Sequence, residues 1–136
     1  MAAKKQTLSN ALLDAVLSGV AYSSPATLYL ALYTVAPTAT TPGTEVVAAG
    51  PTGYARQEVT SGFVSPPVAG VTSNIAPITF PEALIDWTTV VSASICVSGV
   101  RGTNDELYFG DLTVHKAVGV GDVLSFAAGA LVVSES

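Results

Sequence analysis

Between Leu8 and Leu17 the apolar positions Leu8, Leu12, Leu13, Val16 and Leu17 recur at helical spacing, which predicts one amphipathic α-helix. Thr7 or Ser9 is placed to cap its start, and Gly19 to end it in a left-handed conformation. A helix of about ten residues with one apolar face is marginal alone, so it must dock on a sheet or on a neighbouring subunit. After Pro25 the period changes to two. Leu28, Leu30 and Leu32 point one way while Tyr29 and Tyr33 point the other, a strand with an aliphatic core face and an aromatic second face.

Proline and glycine punctuate the rest of the chain. Residues 35–53 hold Pro37, Pro42, Gly43, Gly50, Pro51 and Gly53, a loop of a length usually reserved for function or partner contact. Tyr54–Thr60 resumes an extended pattern. Gly62–Ser73 reads as a second loop, stiffened by Pro66 and Pro67. Ile75–Phe80 reads as an edge strand, interrupted by Pro77 and stopped by Pro81. The clearest strand is Val91–Val97, where Val91, Ala93, Ile95 and Val97 alternate with Ser92, Ser94, Cys96 and Ser98. Turn signals at 102–105 and 119–122 bound a returning strand, Glu106–Thr113, and Val123–Ala127 and Leu131–Ser134 close the chain. The expected fold is mainly β, an antiparallel β-sandwich or barrel with one N-terminal α-helix. It is expected to form a single domain over 1–136, with 1–20 as the helical segment and 26–136 as the sandwich.

Composition adds one constraint. Hydrophobic residues make up 49% of the 136 residues and charged residues only 11%, under half of the roughly 25% usual in soluble domains. Five basic and ten acidic residues cannot cover the surface of so small a domain. That surface must be finished with small polar residues or hidden against other chains, which points to a structural subunit. With a net charge of −5 and Lys4–Lys5 as the only basic pair, a nucleic-acid partner is not expected. Lys4 and Lys5 ahead of Ala11–Leu17 imitate a signal peptide, but Asp14 interrupts the run and no small-x-small cleavage site follows. No apolar stretch approaches the roughly 20 residues that span a bilayer, so no membrane partner is expected either.

Candidate chemistry is sparse. Cys96 stands alone and reads as a small strand residue with no cationic neighbour in sequence to activate it. His115 is the sole histidine; Asp111 shares its strand face but lies about 13 Å away by strand rise. Asp105, Glu106, Glu82, Asp86 and Asp122 read as turn formers and solubilising charges. No catalytic, metal or cofactor site is expected. Gly53–Gln57 is the segment of most interest, with Tyr54 and Arg56 on one face. Both residue types favour interface hot spots, while the alternative is an internal role with Arg56 bridging a carboxylate or loop carbonyls. Trp87 reads as a core plug.

Taken in order, several segments carry a resemblance: the helix ending at Gly19, Pro25–Tyr33, Gly43–Glu45, Gly53–Gln57, Ile78–Pro81, Trp87–Val90, Leu107–Thr113 and Gly121–Leu131. The chain resembles a family of small tailed-bacteriophage and prophage virion proteins, whose members are labelled minor capsid, head decoration or tail fibre protein. It departs from that pattern at Thr88, where the family has glycine after the tryptophan, and at Gly102–Asn104, where the family has Gly-Gly-Asn. The resemblance implies a capsid decoration (cement) protein on the outside of the virion, a dimer or trimer bracing the major capsid protein. The candidate interface residues are Leu8, Leu12 and Val16 of the helix, Tyr29 and Tyr33, Tyr54 and Arg56, and Pro66 and Pro67 of the second loop. A tail-fibre or receptor-binding module is the alternative, with Tyr22, Tyr29 and Tyr33 free to stack on sugars. A glycan hydrolase would need a paired-carboxylate cleft that no spacing here announces.

Overall fold

The period-two run after Pro25 does form a strand, but a strand buried on both faces. The computed structural model describes residues 3–46, 52–101 and 105–134. Its main sheet is antiparallel and runs β1 (Ala3–Lys4), β8 (Glu106–Val118), β7 (Thr88–Cys96), β2 (Tyr29–Val35), β3 (Thr44–Glu45), with β4 (Gln57–Glu58) also pairing with β2. Two short ribbons complete the strands: β5 (Val71–Ser73) with β10 (Val132–Ser134), and β6 (Ile78–Thr79) with β9 (Ser125–Phe126). The single helix, α1 (Gln6–Leu17), follows β1.

The mainly β expectation holds, with its architecture sharpened. The main sheet has two free ends, β1 and β3, so it is open and not a barrel. The layer over its front face is not a second sheet of like size but the ribbons and the segments between them. Leu30 and Leu32 of β2, Val90, Ala93 and Ile95 of β7 and Val118 of β8 meet Val59, Ile78, Phe80, Trp87, Leu124 and Leu131 from that layer. Trp87 plugs this core, its indole N–H donating to the Thr52 carbonyl at 2.9 Å. Behind the sheet, Ala31, Tyr33 and Cys96 form a second buried cluster, beside buried Ser92 and Ser94.

The alternation of β7 is interrupted by a register shift between Val90 and Ser92. A step of two residues in β7 is matched there by a step of five in β8, from Asp111 to Lys116; across this irregularity Val90 enters the core and Val91 is only half-buried. β8 runs without a break through the expected end at Thr113 to Val118. The supposed loop at 62–73 is partly paired: Val68 and Val71 exchange backbone hydrogen bonds of 3.0 Å, and Phe63 bridges Asn74. Residues 102–104 of the turn expected at 102–105 and residues 47–51 of the 35–53 loop lie outside the described residues.

The helix begins earlier than its side-chain signals suggested. Neither Thr7 nor Ser9 caps it; Lys5 stands at the cap in extended conformation, because the chain arrives from β1. Its start is pinned by Lys5 N–H to the Leu107 carbonyl and Gln6 N–H to the Ala39 carbonyl, both 2.9 Å, and by the Lys5 ammonium on the Thr38 and Thr41 carbonyls at 2.8 and 2.7 Å. Gly19 ends it at φ +72° as expected, and the Asp14 carbonyl receives the N–H groups of Ser18 and Val20. Beyond its first turns, α1 shares no extensive contact with any strand among the described residues. Of the two partners expected for its apolar stripe, a sheet or a neighbouring subunit, the chain's own sheet takes little: Leu8 is buried, whereas Leu13, Val16 and Leu17 are 56%, 79% and 76% exposed.

Candidate functional site

Two features compete for the role of functional site: a buried polar network around Arg56, and an apolar surface that the fold leaves open.

Gly53 lets the chain turn sharply into the network; at φ +79° a Cβ there would lie 2.2 Å from the Glu82 carbonyl oxygen. Arg56 then points inward with its side chain fully buried. Its Nε and Nη2 donate to the two carboxylate oxygens of Glu45 at 2.9 Å each. Its Nη1 donates to Asp105 at 3.0 Å and to the Ser98 carbonyl at 2.8 Å. Desolvation alone would lower the guanidinium's pKa, but its hydrogen bonds to Glu45 and Asp105 outweigh it and hold it above the ordinary value. The Tyr54 hydroxyl donates to Glu45 and accepts the Leu32 N–H. The Tyr54 ring stacks on Phe80 with centroids 6.1 Å apart and meets Trp87 edge-on at 5.6 Å. Its phenol is pushed up by burial and by the Glu45 carboxylate. Of the two roles weighed for Tyr54 and Arg56, the structure draws the internal one. As surface anchors both are corrected: the paired charges that make Arg56 tolerable inside also remove it from solvent.

A second polar cluster sits on the back of the sheet. Tyr33 donates to Glu106 at 3.1 Å and accepts from Ser94 at 3.0 Å, and Ser94 lies 3.1 Å from the Cys96 sulfur. Burial raises the Tyr33 phenol and lifts the Cys96 thiol to about 11. Such a thiol is a packing group and not a nucleophile at neutral pH. Tyr33 is thus withdrawn from any sugar-stacking surface, and the aromatic back face of β2 is covered rather than presented. Glu106, read as a turn charge, is instead a buried strand residue, and its Oε2 has no hydrogen-bond partner among the described residues. His115 and Asp111 are both exposed on β8. Asp86 and Asp122 do act as turn formers, accepting the N–H groups of Thr88 and Gly119.

What remains outside is apolar. Of the candidate interface residues, Val16, Pro66 and Pro67 are exposed, Leu12 and Tyr29 are half-buried, and Leu8 is buried. The ring of Tyr29 lies close against Gly99, where a Cβ would come within 2.9 Å of it. Leu13, Leu17 and Val20 are exposed as well, though not singled out by number as interface residues, and so is Tyr22, named above as a sugar-stacking candidate. The helical spacing that marked Leu13 and Leu17 as apolar left open whether a sheet or a neighbouring subunit would take them. On another part of the chain, Val64, Val68, Val71 and Val132 are exposed around a groove of about 450 Å³. Sequence reading missed this groove because its walls come from five separate segments.

Comparison with known proteins agrees with a structural part. The family model described as Podophage GP4 fiber I protein gp80 matches residues 3–134, nearly the whole chain. No curated protein matches it.

Proposed function

The chain belongs to the family of the podophage GP4 fiber I protein gp80, a family of phage virion proteins, and from that premise we propose that it is a structural subunit of a virion fibre. The family description names a fibre, which favours this reading over a cement protein. The observation that carries the proposal is the outward apolar surface of α1. A subunit made to diffuse freely would turn that surface to its own sheet. The polar chemistry of the fold supports the same reading: Arg56, Glu45 and Tyr54 bond to one another inside the protein, and Tyr33 bonds separately to Glu106.

Four aliphatic side chains, Leu13, Val16, Leu17 and Val20, are between 55% and 79% exposed. Full burial of each stabilises a contact by about 1.5–3 kcal/mol. Association costs at least about 4 kcal/mol before any gain appears. One such joint is therefore weak, and a fibre gains from repeating it.

Antibody labelling of virions, read by electron microscopy, tests the proposal. Label on a tail appendage is the expected result, together with intact heads and lost adsorption in particles that lack the protein. Label over the head, with bald or pressure-fragile capsids on deletion, would overturn it in favour of a cement protein bound to the major capsid protein.

A further inference from the structure

The polar anchors of the segment ahead of Thr27 all lie at its tip. We infer that this N-terminal arm, made of β1, α1 and Gly19–Ser24, exchanges between copies of the chain, the tip of one copy taking on a second copy the seat it holds on its own. The inference goes beyond the fibre reading and does not depend on where in a virion the protein stands.

Ala3 and Lys4 pair antiparallel with Phe109 and Tyr108. The Lys5 N–H bonds to Leu107, the Gln6 N–H to Ala39, and the Lys5 ammonium to the carbonyls of Thr38 and Thr41. The same ammonium stands 6.0 Å from the centroid of the Phe109 ring, and Leu8 is the buried residue of α1. Further along, the arm lets go of the body. Every residue from Val16 to Ser24 is exposed. Among the described residues, the backbone hydrogen bond of Gly19–Ser24 is Val20 N–H on the Asp14 carbonyl, inside the arm itself.

The two ends of the arm nevertheless lie close together. Thr27 rejoins the body with its hydroxyl on the Val97 carbonyl at 2.9 Å, just past the end of β7, the strand beside β8. Val97 lines one recess with Lys5 and Leu107. A few residues would bridge that gap, yet the chain runs out along α1 and back. The helix is about 18 Å long, and Gly19–Ser24 adds about 20 Å when extended. A body of this size has a radius of gyration of about 13 Å. A straightened arm therefore reaches a neighbouring body with α1 still helical, and the bend it must open is at Gly19, φ +72°.

The seat itself names the occupant. It takes an extended pair of residues running into a lysine whose ammonium lies between two carbonyls, and a second copy presents that same tip. Exchange of this kind repeats every contact of the closed chain, so its cost is low. The chain's own tip keeps the advantage of an effective concentration in the millimolar range. Exchange is therefore a feature of crowded copies, as in an array. Passed on in one direction it links subunits in series; made reciprocally it closes a dimer.

Cross-linking of full-length chains tests this in a Cys96→Ala background, where the introduced thiols stand alone. One chain carries Ala3→Cys and another Phe109→Cys, positions that face each other across β1 and β8. A short bismaleimide then joins neighbouring thiols. In a mixture, a link from 3 to 109 requires the tip of one copy on the seat of another. That link is expected to grow by at least about tenfold as the mixture is concentrated from micromolar towards millimolar. Ala3→Cys mixed with Val120→Cys, exposed but outside the seat, sets the level of chance collision. A 3-to-109 yield no higher than this control overturns the exchange. So does a chain carrying both Ala3→Cys and Phe109→Cys that fails to link within itself when dilute, since its tip would not occupy the seat. Label on a tail appendage together with a tip that never leaves its own chain would overturn the exchange and leave the fibre reading standing.

Discussion

Thr88 shows how one residue can be judged only from its backbone. It follows Trp87 with φ +62°, a left-handed conformation that a β-branched side chain strains to adopt, at a cost of about 1–2 kcal/mol. The resembling phage family has glycine at this place, and the reason is now visible. The strained turn is held by the Thr88 N–H on the Asp86 carboxylate at 2.8 Å and by Trp87, anchored in the core on one side. Thr88→Gly should raise stability by about 0.5–1 kcal/mol, once glycine's greater freedom in the unfolded chain is subtracted. Urea unfolding of the two proteins side by side checks it; a lower midpoint for the glycine variant would show that the strain is not there.

Among elements, the Arg56 network ties β3 through Glu45 to the start of β8 through Asp105 and to the end of β7 through Ser98. Arg101 adds to it by donating to the Val46 and Glu45 carbonyls at 2.9 and 3.1 Å. Arg56→Ala would strand a buried Glu45, and breaking a buried pair in this way costs about 3–5 kcal/mol. Arg56→Lys should fall between, since an ammonium cannot make the two-pronged contact. Denaturant midpoints decide the matter: a loss under about 1 kcal/mol for Arg56→Ala would mean that the residue is not the internal clamp described. Sequence reading brought Tyr54 and Arg56 together on one face but left their direction open. Their partners lie 11 and 49 residues from Arg56 along the chain, and no local period announces them.

For the whole molecule, the buried hydroxyls and thiol set a pH limit. Cys96 is raised from 9.0 to about 11 by burial, and Tyr33 and Tyr54 are raised as well. The folded state therefore keeps protons that the unfolded chain releases, so stability falls as pH rises. The loss begins as pH passes 9.0 and is complete for Cys96 only above about 11, with the tyrosines extending it further. Cys96 alone accounts for a loss on the order of 2 kcal/mol. Unfolding midpoints followed from neutral pH through this window should decline, and Cys96→Ala should flatten the first part of the decline. A flat profile in the parent protein would contradict the burial of these groups.

The sequence by itself determined the helix and its glycine end, the β2 and β7 strands, the position of Trp87 and the scarcity of charge. All of these are written in short-range period or in composition. Tertiary structure alone decided that β2 is buried on both faces, that Val90 enters the core at an irregularity of register, and that Glu106 is interior. It also decided that the helix stripe faces away from its own sheet and that 28, 63, 67, 95, 108 and 133 line one groove. The physical reason is common to these. A period states that a face is apolar, but the surface that covers it comes from distant parts of the chain, and for α1 the chain leaves most of that face uncovered.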